Sequence, residues 1–452
     1  MQFELTDEFL EVLKEDIARI DRDTVSAKVG ELYPADIAEI LDEVNLQEAQ
    51  FIFRLLENEQ GSEVLMELDD DVREKFLASL SDDEIADFVD ELDTDDAADI
   101  IQELPEERQE DVLEKVDDDE HTENIAELLG YEEGTAGALM AKELIKVNLN
   151  WTLLRCVGEM RKQAEDVDKV FTVYVVDNDD TLLGIVSLKK MLLNTERTLI
   201  KDIYRDSAIS VTADMSAEEV VQVSEKYDLL VIPVIDANGK LIGRITVDDI
   251  MDVVREETSK DYQMMSGISE SIETSDSVWV MSRARLPWLL IAMIGGIAGA
   301  LVIGNYEEEL HINPEMAFFI PLVVAMGGNV GIQSSALIVQ GLANNTLSKD
   351  GMIKRILKEL AVGLLNGLAC TAVLLAYSYV FVESLALSLT IGASLLAVIL
   401  FAAAFGTFMP LTLNRMKIDP ALATGPFITT SNDIIGLFFY FMIGRLMYGL
   451  AF

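Results

Sequence analysis

The sequence predicts a multi-domain protein: an all-α N-terminal helical-repeat domain, an α/β segment made of a tandem repeat, and an all-α membrane domain of five transmembrane helices. Three observations predict this. First, charge and apolar residues are segregated. The chain has a formal net charge of −47, yet half of its residues are hydrophobic, which a single globular core does not reconcile. The stretch before Leu286 holds 72 of the 81 acidic and 27 of the 34 basic residues. Second, apolar runs of spanning length recur from Leu286 onward. Third, residues 174–192 are repeated at residues 233–251. The expected boundaries are 1–130 for the helical domain, 131–255 for the repeat, 256–284 for a connecting helix and 285–452 for the membrane domain.

The helical domain is read over residues 5–130. Short amphipathic runs follow one another about a dozen residues apart, among them SDDEIADFVDEL, DTDDAADIIQEL and PEERQEDVLEKV. Ser81, Thr94 and Pro105 are helix-start signals. A stack of such helices has one apolar and one acidic face. Most of its acids are ordinary solvated groups, but their density is balanced by nothing nearby. Self-repulsion of this kind attracts cations and repels polyanions, so nucleic acid is not an expected partner. The N-terminus, MQFELTDEFLEVLKED, is acidic without an apolar run, which argues against a signal peptide. Cys156 and Cys370 fall one in each half, so no disulfide framework is expected. The acidic part is expected in the cytosol.

The repeat reads strand, Asp–Asn turn, strand, helix. YVVDNDDTLLGIVSLKKML aligns with PVIDANGKLIGRITVDDIM, matching Asp177 to Asp236, Gly184 to Gly243 and Ser187 to Thr246. These residues resemble tandem cystathionine-β-synthase (CBS) domains. That resemblance implies paired units whose clefts often hold adenine nucleotides such as ATP. Its ribose-binding Asp after a strand-end Thr falls on Thr246 and Asp249, whereas the first repeat has Lys190 in that place. The alternative is a purely structural pair. The stretch that follows, VVREETSKDYQMMSGISESIETSDSVWVMSRARL, is long enough for one amphipathic helix. It is either a plain linker or a rigid connector that passes domain position to the membrane.

Five spans are expected at about 286–305, 314–342, 355–382, 384–413 and 420–450. Arg283 and Arg285 precede the first, Lys349, Lys354, Arg355 and Lys358 follow the second, and Arg415 and Lys417 follow the fourth; EEELHINPE and VES fill the other loops. Basic loops face the cytosol, which puts the N-terminus inside and the C-terminus outside a cell (inner) membrane. Arg445 is an exception, near enough to the outer end to snorkel. Spans two and five are rich in small and polar residues, including Gly328, Asn329, Gln333, Thr429, Asn432 and Asp433. Small residues allow close helix packing, and that is the plain reading of the glycines and serines. A carboxylate at membrane depth is costly. Asp433 therefore points to a water-filled, cation-attracting path, with Asn329 and Gln333 next to line it.

The order of parts, together with PLVVAMGGNVGIQSSALIVQGLA in span two and IDPALATGPFITTSNDIIGLFFYF in span five, resembles the MgtE family of magnesium channels along the whole chain. One departure is Ile332, where that family often has a polar residue. The resemblance implies a homodimer in the bilayer, with a pore on its axis lined by spans two and five, where Asp433 selects the ion. Mg²⁺ keeps its waters and takes few carboxylates, which suits such a site. It also implies that the channel imports Mg²⁺ and that cytosolic Mg²⁺ bridges acidic faces and shuts the pore. Matching by motif puts the sensors at Glu63, Asp95, Asp99, Glu218, Asp228, Asp249, Asp252, Glu257 and Asp261. Lys260 stands where another acid is common.

Three rivals are weighed. An enzyme would need a nucleophile–base cluster or a phosphate loop; His121 and His311 stand near neither, so no catalytic residue is assigned. CBS-bearing anion channels carry the soluble part C-terminally and want a positive pore. A carrier of Co²⁺, Mn²⁺ or Ni²⁺ under nucleotide control remains the alternative, although softer metals favour His or Cys at membrane depth.

Overall fold

The computed structural model describes residues 3–164, 167, 169–269, 272, 277–343, 351–381 and 384–450. Lys349 and Glu383 of the loop readings lie outside them. The chain divides into two compact units, Met1–Arg255 and Glu256–Phe452.

In the first unit, short helices run from Asp7–Ala18 to Asp119–Leu128. Their ends are set locally. Ser81 and Glu84 form a reciprocal capping box on Asp82–Val89, and Asn45 and Glu48 do the same on Leu46–Phe53. The helix Thr94–Glu103 begins at Thr94 as read, with Asp93 in the N-cap position and the Thr94 hydroxyl buried and bonded to a distant glutamate. The helix Asp82–Val89, for example, buries Ile85, Ala86 and Val89 and exposes Asp83 and Asp87.

Two three-stranded sheets follow. Strands β1 (Lys146–Asn148), β2 (Val173–Val176) and β3 (Leu182–Val186) form one; β4 (Val211–Thr212), β5 (Val231–Ile235) and β6 (Leu241–Thr246) form the other. In each, the first pair is parallel and the second antiparallel, as the repeat requires. The matched aspartates tie the two hairpin turns: Asp177 accepts from the Asp179 and Thr181 amides, Asp236 from those of Asn238 and Lys240. The turns then join the repeats. Leu182 N–H donates to Gly239 O and Leu241 N–H to Asp180 O, each at 3.0 Å. The matched glycine Gly184 allows a close approach, because a Cβ there would lie 2.0 Å from Arg205 O. The second repeat shares one continuous apolar core with the helical domain, running from Leu13 through Ile101 to Met140 and Ile245; the first repeat has its own around Val147 and Val175.

The second unit holds the membrane domain. Among the described residues, five helices are long and apolar enough to cross a bilayer: Val278–Asn305, Pro314–Ala343, Met352–Phe381, Leu385–Arg415 and Gly425–Met447. Span one exposes Leu289, Ile294, Ile297 and Leu301, as a helix facing lipid tails would. Span four is well buried and meets span two at a point where a Cβ on Gly406 would lie 2.5 Å from Gly331 O. Thr390 and Thr407 satisfy their hydroxyls on carbonyls one turn back. Tyr440 of span five donates to Met316 O at 2.8 Å, and Arg445 pairs with Glu309 at 3.5 Å.

Candidate cation sites

The acidic cluster of the first unit is built on the start of the Thr94–Glu103 helix. Asp93, Asp95 and Glu143 bring one carboxylate oxygen each within 4.8 Å of one another, and among the described residues no other trio of potential metal ligands does so. Thr94 organises it. Its amide and hydroxyl donate to Glu143 Oε2 at 3.2 and 2.9 Å, and its hydroxyl accepts from the Lys142 amide at 2.8 Å. Arg244 of β6 donates to Asp93 Oδ2 at 3.3 Å.

The second repeat presents further acids to the same helix. Asp249 accepts from the Thr246 amide and hydroxyl at 2.8 and 2.6 Å. Burial pushes its carboxyl up, against those Thr246 bonds, with Asp248 and Asp252 adding to the rise. Burial holds Asp95 well above the usual carboxylate range, and Asp249, Asp96 and Asp93 raise it further. For the same two reasons, burial first and Asp249 next, Asp96 is pushed up to about 7. Asp99 lies at the exposed edge of the cluster, on the side of Arg73. Carboxylates raised by one another favour a shared cation, because it relieves desolvation and repulsion together. Carboxylate oxygens are hard donors of the kind that hard divalent cations take.

Of the residues expected as sensors, Asp95, Asp99 and Asp249 thus come together. Asp252 is exposed on the same helix as Asp249, Val247–Met265. Glu63 and Glu218 are exposed on other helices, and Asp228 is an exposed left-handed cap at φ 52°. Glu257 and Asp261 belong to the second unit, and Glu257 is paired with Lys260 at 3.2 Å. Asp93, Asp96 and Glu143 were not expected. The first two stand in the same DTDD run; nothing in AKELI announces Glu143.

In the membrane domain Asp433 lies on span five beside Gly328 of span two, where a Cβ on that glycine would come 3.8 Å from Asp433 Oδ1. That oxygen is buried and has no hydrogen-bond partner. The neighbouring Asn432 is 1% exposed and donates to Gly327 O at 3.3 Å. Gly331 makes room for it: a Cβ there would fall 1.9 Å from Asn432 Nδ2. Asp433 opens onto a cleft of about 570 Å³ between spans one, two and five, lined also by Gly295, Gly299, Thr429 and Thr430. The Thr429 hydroxyl is turned back onto Gly425 O. Asn329 and Gln333 lie one turn apart on an exposed face of span two with Ile332, away from the Gly327–Gly331 face.

The connecting helix ends against span five within this unit. A Cβ on Gly267 would meet Pro426 Cγ at 2.6 Å, and one on Gly425 would meet Met265 O at 2.4 Å. Both glycines have positive φ, 81° and 53°, a region other residues reach only with strain.

Comparison with known proteins agrees with this architecture. Residues 320–443 match the profile of MgtE, described as a divalent cation transporter. Residues 32–134 match the MgtE intracellular N domain, and 136–194 with 200–256 match CBS domains. The magnesium transporter MgtE of Enterococcus faecalis is 35% identical over 327 residues, 72% of each chain. That of Thermus thermophilus is 31% identical over 439 residues, covering 96% of this chain and 97% of its own. The crystal structure of the soluble part of a magnesium transporter aligns at 28% identity with a TM-score of 0.51, covering 56% of this chain and 98% of that one. With its intracellular, CBS and membrane parts all matched in order, the chain belongs to the MgtE family.

Proposed function

We propose that this protein is a Mg²⁺ channel that imports the ion across the cell membrane and is shut by cytosolic Mg²⁺. The observation that carries the transport reading is Asp433, whose buried oxygen has no partner beside the glycine face of span two. In a homodimer with spans two and five on its axis, two such carboxylates face one path and hold an ion with its waters retained. Gly328, Thr429 and Asn432 surround that carboxylate. The exposed Asn329 and Gln333 lie on the side of span two that a second protomer would cover. The N-terminus is cytosolic and the C-terminus outside, following the basic loops.

The sensor is centred on Asp93, Asp95 and Glu143, with Asp96, Asp99 and Asp249 beside them. Glu63, Glu218, Asp228, Asp252, Glu257 and Asp261 supply further carboxylates where domains or protomers meet. Mg²⁺ draws these acidic faces together. The connecting helix carries the change to its contact with Gly425 at the start of span five. Neutralising Asp95, Asp99 and Asp249 together (each to Asn) should leave conduction intact and weaken closure. Currents from membrane patches at stepped cytosolic Mg²⁺ test this; unaltered inhibition would remove these positions from the sensor.

A second ligand, ATP, rests on the Thr246–Asp249 pair at the end of β6. It has no counterpart in the first repeat, where the Lys190 amine is bound to Ile203 O. Calorimetry on the full chain should show one nucleotide site per protomer that Asp249→Asn removes; absence of heat would discard it.

A further inference from the structure

Asp433 is not alone at membrane depth, because span three carries a further carboxylate, Glu359. It stands about two turns, or about 10 Å, inside the start of Met352–Phe381, and it is half-buried. Its sequence neighbours Lys354, Arg355 and Lys358 are basic, which eases the cost of a charge near the end of a span. The group that reaches it comes from span two. The Ser334 hydroxyl donates to Glu359 Oε2 at 3.2 Å.

Helix packing turns this carboxylate into the bundle. Gly363 and Gly367 follow Glu359 at four-residue steps and so share its face. A Cβ on Gly363 would lie 3.1 Å from Ala403 Cβ, and one on Gly367 would lie 2.7 Å from Leu396 Cδ1, both on span four. Span four in turn meets span two at Gly406 and Gly331. One turn past Gly331 comes Ser334, 5% exposed, among the buried residues of span two that include Gly327 and Gly328. Glu359 therefore holds span two by the side that receives Asn432 and lies beside Asp433. A hydrogen bond to a charged acceptor is stronger than one to a neutral group, so this one resists rotation of span two about its own axis.

We propose that Glu359 is a positioning residue for ion selection: by accepting from Ser334 it fixes the rotation of span two and keeps the Gly327–Gly331 face against Asn432 and Asp433. This rests on the reading of Asp433 as the selecting carboxylate, and it adds a residue on a span outside the path. Glu359 acts through Ser334 and does not touch the ion. When the bond is lost, span two turns, the Asp433 carboxylate is held less well, and the ion binds more weakly.

The test is Mg²⁺ uptake against external Mg²⁺ in cells lacking their own magnesium transporters, at equal amounts of each variant in the membrane. Ser334→Ala and Glu359→Ala should each raise the half-saturating Mg²⁺ at least about threefold, the size expected of one hydrogen bond, with the maximal rate less affected. The double variant should be no worse than the more impaired single one, since all three lose the same bond. Glu359→Gln, which keeps an acceptor for Ser334, should recover most of the parent's affinity. If Glu359→Ala does not reach the membrane, Ser334→Ala and Glu359→Gln decide. Parent-like half-saturation in Ser334→Ala, a substitution that a helix tolerates readily, overturns the proposal. So does a Glu359→Gln as impaired as Glu359→Ala, which would make the charge itself the working group. A lower unfolding temperature with unshifted half-saturation shows a merely structural tie and overturns it too. A parent that takes up no Mg²⁺ would instead remove the transport reading itself.

Discussion

Asp433 and Asn432 are adjacent on span five and do different work. Asn432 spends its amide on the Gly327 carbonyl, fixing span five to span two, and thereby leaves the next side chain directed past Gly328. Gly331→Ala tests this arrangement. The added methyl overlaps Asn432 Nδ2, and overpacking of this kind costs about 1–3 kcal/mol. We expect a lower unfolding temperature and reduced Mg²⁺ uptake; a variant unchanged in both would separate Asn432 from the path. In the soluble part, Thr94→Val removes the hydroxyl that ties Glu143 and Lys142, leaving a half-buried carboxylate short of a donor at about 1–3 kcal/mol. Protection by Mg²⁺ should then need more of the ion. Asp433 stood out in the sequence because a charge in an apolar run is a local signal, whereas Asp95 and Asp99 were singled out only through the family resemblance. Glu143 was not. Its place depends on a hydroxyl that lies distant in the chain and reaches it only after the second repeat has folded against the helical domain.

At the scale of elements, the spans and repeats were readable because periodicity and length are local properties. The five apolar runs agree with the helices to within a few residues at most ends, although span one begins earlier, at Val278. The matched aspartates of the repeats proved to be turn residues. The connecting element was less legible. It starts at Val247, inside the second repeat, and ends at Met265, since nothing after Thr246 breaks the helix. Its contact with span five could not be seen in sequence, because it depends on two separated glycines at positive φ. Gly425→Ala adds a Cβ against Met265 O and strains a left-handed residue by about 1–2 kcal/mol. If this contact transmits closure, the variant should conduct yet close less completely at high cytosolic Mg²⁺. Closure identical to the parent in patch recordings would place the transmission elsewhere.

Over the whole molecule, charge segregation is the governing fact. A strongly acidic part attached to an apolar one is stable only where protons or cations offset the repulsion. The carboxyls of Asp95, Asp96 and Asp249 are raised in the folded state. Stability from such groups is present at low pH and lost as pH rises through their folded values, about 7 for Asp96. Metal-free protein should therefore unfold at a lower temperature at pH 8 than at pH 5.5, and millimolar Mg²⁺ should reduce that difference. A pH-independent unfolding temperature without metal would contradict the electrostatic picture. The proposed homodimer rests on family resemblance, since one chain's sequence offers nothing more than polar residues on a membrane helix.

Selection of the ion rests on Asp433. The measurement that tests it most directly is Mg²⁺ uptake in cells lacking their own magnesium transporters, comparing this chain with Asp433→Ala at equal amounts in the membrane. The parent should rescue growth and take up Mg²⁺, and the variant should show at least about a hundredfold less uptake, in line with removing a key electrostatic group from a low-dielectric site. Equal uptake by both would contradict it and move the selecting site to the Asn329 face of span two.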